Sequence, residues 1–323
     1  MNTLAPVIEL KNVVKVFKDF WGRPKARAVA GIDLNIHPGE VFGLLGPNGS
    51  GKSTTLKMIL GLLHPTAGSI RIFGQPPNDV GVKSRLGYMP EESYLYPYLT
   101  AEETLELYGR LLDLPASERR ARAAQLLMMA GLAHTGRRAV GEFSKGMARR
   151  ISLAQALLND PDLILLDEPT AGLDPIGCRQ FKDLILKLAA RGKTIVLCSH
   201  LLADVEDVCD RIAIMYDGLI YAHGDIRTML EQRDVCRFTI HQPPMDAVPE
   251  LTAILEAKLG RKPEVDHPSR TLEELFLATI AQAQARGTNE HSGAQPAMDL
   301  APFLNDGAPA DGRAVTPDHA RTT

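Results

Sequence analysis

Cysteine is scarce in this chain. Four cysteines in 323 residues (Cys178, Cys198, Cys209 and Cys236) stand far apart, with no CxxC and no ligand-like grouping with histidine. That spacing excludes a disulfide framework and a zinc finger, and it suits a reducing compartment. Aromatic residues make up only 5%, which disfavours a base-stacking surface for single-stranded nucleic acid. A strong charge of either sign is also missing. Lys plus Arg total 36 against 39 for Asp plus Glu, a formal net charge of -3, so bulk electrostatics offers no grip on nucleic acid. No apolar run approaches the roughly 18–20 residues of a membrane span. The start, MNTLAPVIELKNVV, has no basic region ahead of an apolar one, so no signal peptide is expected. Work at a membrane would need spans from another chain. The remainder is ordinary globular composition, 45% hydrophobic and 23% charged, in a length that suggests about two structural units.

The first forty residues read as strands, β-branched and partly alternating at Val7–Leu10, Val13–Phe17 and Ala28–Ile36. The basic stretch Lys18–Arg27, with Phe20 and Trp21, reads as a loop, either simply solvated or touching anionic lipid. Val41–Leu45 is a short buried strand, followed by a glycine-rich turn and a helix from Lys52 to about Leu63. Helical periodicity governs 101–159: one helix capped by Thr100 with Glu103 three residues on, a second over Ser117–Ala130, a third over Lys145–Leu158. Strands return at Leu163–Leu166 and Thr194–Cys198, with a helix over Pro175–Arg191 between them. Short apolar strands alternating with helices predict an α/β fold with a mainly parallel sheet buried on both faces. Beyond Thr228 the signal weakens to a small accessory segment over 229–286, closing in an amphipathic helix over Thr271–Arg286. From Gly287 to Thr323 the Ala, Gly, Pro, Asp and Thr content predicts disorder.

Gly46-Pro47-Asn48-Gly49-Ser50-Gly51-Lys52-Ser53-Thr54 fits GxxxxGK[ST], set between a strand and a helix as that motif requires. Glycines let backbone N–H groups close around phosphate oxygens, and the following helix adds its positive end. Lys52 is placed to reach the β- and γ-phosphates of a nucleotide, and the Ser53 hydroxyl to ligate Mg²⁺. Leu163-Ile164-Leu165-Leu166-Asp167-Glu168 is an apolar strand ending in two acids. Ligands of open parallel sheets bind at the carboxyl ends of strands. Asp167 is therefore a candidate Mg²⁺ ligand, and Glu168 a candidate base for the water that attacks the γ-phosphate. His200, ending another apolar strand, is a candidate γ-phosphate sensor.

The order of these motifs resembles the nucleotide-binding subunit of an ATP-binding cassette (ABC) transporter, over about Val7 to Asp225. Phe143-Ser144-Lys145-Gly146-Met147 resembles the family signature LSGGQ, Ala171-Gly172-Leu173-Asp174 its D-loop, and Ser199-His200 its switch-histidine loop. Phe17 stands where the adenine-stacking aromatic belongs. The resemblance implies a P-loop NTPase core over 1–228, with an N-terminal antiparallel β subdomain and an inserted helical subdomain over about 90–158. It implies a head-to-tail dimer, with a second copy or a paralogous ATPase, closing on two Mg-ATP. Each ATP would be held by the phosphate loop and Phe17 of one subunit and by Ser144, Gly146 and Asp174 at the facing surface. Lys52, Glu168, His200 and Glu91 carry the implied catalytic roles, and Ser53, Asp167 and Glu91 the metal roles.

Two positions depart from the family pattern. Glu91, in Gly87-Tyr88-Met89-Pro90-Glu91, replaces the Q-loop glutamine, adding negative charge near phosphates; the signature carries Lys145 for Gly and Met147 for Gln. GYMPE with FSKGM, and the closing run Arg270–Leu277, resemble the branch serving separately encoded ABC-2-type permeases, mostly exporters. A peripheral place on the cytoplasmic face of the cell membrane is implied, with no nucleic-acid partner. The apolar, aromatic run Tyr94–Leu99 is then either a permease interface or a buried hinge.

Two further readings belong to the same family: a soluble ABC ATPase of ribosomes, DNA or cofactor assembly, and a regulatory subunit with weak hydrolysis. One phosphate loop argues against the translation type. About a hundred residues without heptads between loop and signature argue against the DNA-repair type. The guanine-reading NKxD pattern of GTPases is absent.

Overall fold

The computed structural model describes residues 5–231, 247–260, 263, 265 and 300–305. Cys236 and the expected helix over Thr271–Arg286 lie outside the described residues. Two compact units are found, one of Met1–Met229 with Glu290–Thr323 and one of Leu230–Asn289.

The chain opens with the antiparallel pair β1 (Ile8–Lys18) and β2 (Pro24–Ile36), paired from Ile8 opposite Ile36 to Lys18 opposite Pro24 with register shifts between. The basic stretch expected as a loop is therefore largely hairpin. Only the residues between the strands turn, and the Asp19 carboxylate fixes them by accepting from the backbone N–H of Trp21 (2.9 Å) and Arg23 (2.8 Å). Exposed charge on both strands hid the pairing, because neither face there alternates in hydropathy. Phe20 and Trp21 project from the tip, 94% and 78% exposed, in edge-to-face contact.

β3 (Val41–Leu45) runs through the glycine-rich turn into α1 (Lys52–Ile59), followed by β4 (Ala67–Ile72), α2 (Val80–Lys83) and β5 (Leu86–Met89). The first helix ends short of Leu63 because Gly61, at φ 69°, takes the left-handed closing position. α3 (Ala101–Leu111), α4 (Ala116–Met129) and α5 (Lys145–Ala156) form the helical segment. The capping box at Thr100 and Glu103 is present, each side chain bonded to the other's backbone N–H. Then come β6 (Leu163–Asp167), α6 (Pro175–Ala190), β7 (Thr194–Ser199), α7 (Leu202–Val208), β8 (Arg211–Tyr216), β9 (Leu219–Asp225) and α8 (Ile226–Leu230). In the second unit α9 covers Ala247–Leu259.

A three-stranded antiparallel sheet, ordered β2-β1-β4, accompanies a six-stranded sheet ordered β5-β6-β7-β3-β8-β9. In the larger sheet every pairing is parallel except β8 with β9. Alternate residues of its central strands enter two separate cores. Ile164, Leu166, Ile195 and Leu197 face the cluster with the helical segment; Leu163, Leu165, Val196 and Cys198 face the cluster with α1 and the antiparallel sheet. That is why those strands read as unbroken apolar runs.

Six residues of the C-terminal stretch expected to be disordered are ordered. Leu300, Ala301 and Leu304 are buried in the same cluster as Ala123 and Leu126 of α4. Phe303 lies under the Arg122 guanidinium, 4.7 Å from the ring centroid, and its N–H donates to Gln125 Oε1 at 3.3 Å. Composition averaged over the tail conceals these few apolar residues.

Candidate functional site

The strand order builds the site. Because the sheet runs β5-β6-β7-β3, the segments after those four strands stand in a row at one edge. They carry Glu91, then Asp167 and Glu168, then His200, then Gly46–Thr54.

The phosphate loop is a tight backbone wrap. Gly51 has φ 106°, and a Cβ there would sit 2.4 Å from the Ala28 carbonyl oxygen; one at Gly46 would sit 2.2 Å from the Met215 oxygen. Only glycine fits this close packing. Ser50 Oγ is buried without a hydrogen-bond partner, an unsatisfied polar atom in a loop made to meet oxygens. Lys52 is 5% exposed and folds back over the loop, its Nζ donating to the Gly46 carbonyl at 2.7 Å and to that of Pro47 at 3.3 Å.

Across from it the carboxylates converge. Ser53 Oγ donates to Asp167 Oδ1 at 3.3 Å, so two hard oxygen donors lie side by side. That pair fits Mg²⁺, which takes few protein ligands and completes its octahedron with water and phosphate oxygens. Glu168 is 5% exposed and held on both sides: Oε1 lies 3.7 Å from Lys52 Nζ, and Oε2 lies 2.8 Å from His200 Nδ1. Its backbone has φ 47°, left-handed for a residue with a side chain, a strained conformation of the kind found at functional sites. Burial, with Glu91 and Glu168 nearby, outweighs the Ser53 hydrogen bond and Lys52, raising the Asp167 pKa. Burial also pushes the Cys198 thiol well up, with Asp167 adding to it, so that cysteine is an inert core residue.

Glu91 follows the end of β5 and is exposed. Lys52, Ser53, Asp167, Glu168 and His200 are thus brought together, with Glu91 beside them. The signature residues are organised differently. Ser144 caps α5 by accepting from Met147 N–H (3.3 Å), and Gly146 packs near Leu173. Asp174 likewise caps α6, accepting from Gly177 N–H at 2.9 Å. Phe17 is 38% exposed, with Lys15 Nζ 5.4 Å from its ring centroid. Tyr94, Tyr96 and Tyr98 are exposed, the last to 91%, while Leu95 packs on the core; the run is not a buried hinge. Sequence reasoning passed over Arg149, a buried cation bonded to the Pro90 and Glu168 carbonyls. Its only signal was a second arginine beside Arg150.

Among the described residues no helix is long and apolar enough to cross a membrane. Residues 29–171 match the family model described as ABC transporter. An uncharacterized ABC transporter ATP-binding protein of Nostoc sp. is 45% identical over 284 residues, covering 87% of this chain and 83% of the relative. The Nod factor export ATP-binding protein I of Burkholderia thailandensis is 43% identical over 236 residues, covering 72% and 75%. Among solved structures, a dimeric ATP-binding cassette in a post-hydrolysis state with ADP and Pi is 33% identical, with a TM-score of 0.63 over 68% of this chain and 99% of that one. These relatives do not favour the non-transport readings. With a phosphate loop, paired acids and histidine gathered at one sheet edge, the chain belongs to the ATP-binding subunits of ABC transporters, and it is an ATPase.

Proposed function

We propose that this subunit closes as a dimer around two Mg-ATP and drives export through a separately encoded membrane permease, sitting peripherally on the cytoplasmic face of the membrane. The observation that carries the chemistry is the Glu168 carboxylate held between Lys52 and His200. In the free chain Lys52 is partnered by loop carbonyls and by Glu168. Arriving phosphates outcompete those neutral carbonyls for the ammonium, which draws Lys52 away and leaves Glu168 paired with His200. That carboxylate then accepts a proton from the attacking water, and His200 holds it in place. Ser53 and Asp167 would hold Mg²⁺, whose chemistry there is to neutralise charge on the phosphate oxygens. Glu91 stands beside them as a further oxygen donor.

Ser144 and Gly146 of the second copy would complete each site, since a hydroxyl and free N–H groups at a helix start suit a γ-phosphate. The dimeric state of the similar cassette supports a dimer, and Asp174 would lie at the same interface. Phe17 would stack on adenine. Export is supported by the name of the Burkholderia relative and by the GYMPE and FSKGM motifs. ATP can move a permease because it binds the closed dimer preferentially.

The test is Glu168→Gln. ATP binding should persist, hydrolysis should fall by about two orders of magnitude or more, and ATP-bound dimers should accumulate on size exclusion with light scattering. Hydrolysis at the normal rate would remove Glu168 from the base role. Affinity purification from solubilised membranes addresses the permease: a copurifying polytopic chain supports it, and recovery only with soluble assemblies overturns it.

A further inference from the structure

Arg149 lies within α5, the helix that begins at the signature, yet it points under the catalytic edge. Only 7% exposed, it uses its guanidinium to bridge two segments: Nη1 donates to the Pro90 carbonyl at 2.8 Å and Nη2 to the Glu168 carbonyl at 3.0 Å. Pro90 immediately precedes Glu91. Glu168 follows the end of β6 with a left-handed backbone, and its carbonyl accepts both from the Ala171 N–H at 3.2 Å and from Arg149. One buried cation therefore spans the signature helix, the segment bearing Glu91 and the strand end bearing the base.

The charge matters as well as the fork. Burial lowers the Arg149 pKa and the nearby Glu91, Asp167 and Glu168 carboxylates act against it, with the guanidinium bonded to the Pro90 carbonyl directly before Glu91; Lys52, the cation beside Glu168, is engaged by nucleotide. A glutamine at position 91 would need no counter-charge. An exposed carboxylate beside the buried Asp167 and Glu168 and a polyphosphate does, because like charges close together repel. Arginine suits this place, since it stays charged when buried and its planar donors reach two acceptors at once.

We propose that Arg149 is a positioning residue that holds the strained backbone of the base, and that its buried charge is what allows Glu91 to stand at the catalytic edge. The inference rests on the reading of Glu168 as base only for its effect on turnover; the pairing with Glu91 stands apart from it.

A double-mutant cycle of Arg149→Gln and Glu91→Gln tests this, read in thermal unfolding of the nucleotide-free chain and in steady-state ATPase kinetics. Arg149→Gln should lower kcat by roughly tenfold or more while changing KM for ATP by less than about threefold, since it acts on the base rather than on phosphate binding. It should also lower the apo melting temperature by several degrees. In the Glu91→Gln background both penalties should shrink clearly. A merely structural arginine would give the same penalties in both backgrounds, and that additive result overturns the proposal, as does an unchanged kcat. Should Arg149→Gln fail to fold, Arg149→Lys serves: it keeps the charge and loses one arm of the bridge. It should fold and retain intermediate turnover, and turnover no better than background overturns the charge argument. Normal hydrolysis by Glu168→Gln would sink the base assignment alone, while coupling in the apo melting temperatures would still report on Arg149 and Glu91.

Discussion

Asp167 shows how the site stores its readiness for a cation. Its carboxyl is buried beside two other acids, and burial leads the causes that raise its pKa. An acid whose folded pKa lies above its unfolded value binds protons more tightly when folded. Its contribution to stability is therefore lost as pH rises from the ordinary aspartate range through the raised value. Asp167→Asn removes that cost while keeping an oxygen for Ser53. The nucleotide-free variant should melt about 2 °C or more higher at neutral pH, and Mg-ATP, which should raise the parent's melting temperature, should not raise the variant's. A variant less stable without nucleotide would contradict the electrostatic account. Gly51 gives the complementary steric case. Gly51→Ala places a methyl 2.4 Å from the Ala28 oxygen at φ 106°, so the loop must open. Nucleotide binding, followed by fluorescent-nucleotide titration, should be lost even where the fold survives. Lys52, Ser53, Asp167, Glu168 and His200 were legible because each residue type sits at the end of an apolar strand or in a fixed-spacing motif. Arg149 was not, because a buried arginine on an amphipathic helix looks like any charged surface residue until its acceptors are known.

Among the elements, α4 and the short C-terminal turn make the clearest case of local packing against composition. Leu304 is 1% exposed, and truncating a buried leucine commonly costs about 2–5 kcal/mol. A terminal segment can, however, release rather than unfold the body, so the loss is capped by its own docking energy. Leu304→Asp should therefore leave global melting within a few degrees while sharply raising amide exchange in residues 300–305 and in α4. Unchanged exchange would mean that the turn contributes no protection there. Only the tip of the β1–β2 hairpin, Lys18 and Pro24–Arg27, failed to read as strand, for a related reason. Pairing between two exposed, charged strands leaves no periodic pattern, and Asp19 alone hints at the turn. β4 and β5 were likewise passed over as short segments whose partners are distant in sequence, and the β8–β9 hairpin was passed over although its strands are neighbours in the chain.

For the whole molecule, the proposed coupling to a membrane chain would run through surface that the fold leaves open. Tyr94, Tyr96 and Tyr98 are such surface, standing just beyond Glu91 in the chain. Exposed aromatics of this kind are enriched where partners bind. Tyr98→Glu, at a position 91% exposed, should leave thermal unfolding unchanged and reduce recovery of the polytopic partner in membrane pull-downs several-fold. Equal recovery would move the interface elsewhere. Glu168→Gln, which should accumulate ATP-bound dimers, provides the matching assay for the proposed dimer contact.

The identity of the chemistry was available from residues in order along the chain, because phosphate loops, acid pairs and signature motifs are local patterns whose chemistry travels with their spacing. The parallel sheet was available too, since strands buried on both faces must be apolar throughout. What only the tertiary structure decided was adjacency. The order β5-β6-β7-β3 places Glu91, Glu168, His200 and the phosphate loop side by side, although they lie far apart in sequence. Nothing local encodes that order, which follows from how helices cover both sheet faces. The same holds for Arg149 beneath the base and for Leu304 against α4. Such contacts depend on which surfaces meet, and a one-dimensional pattern carries the propensity of each surface without naming its partner.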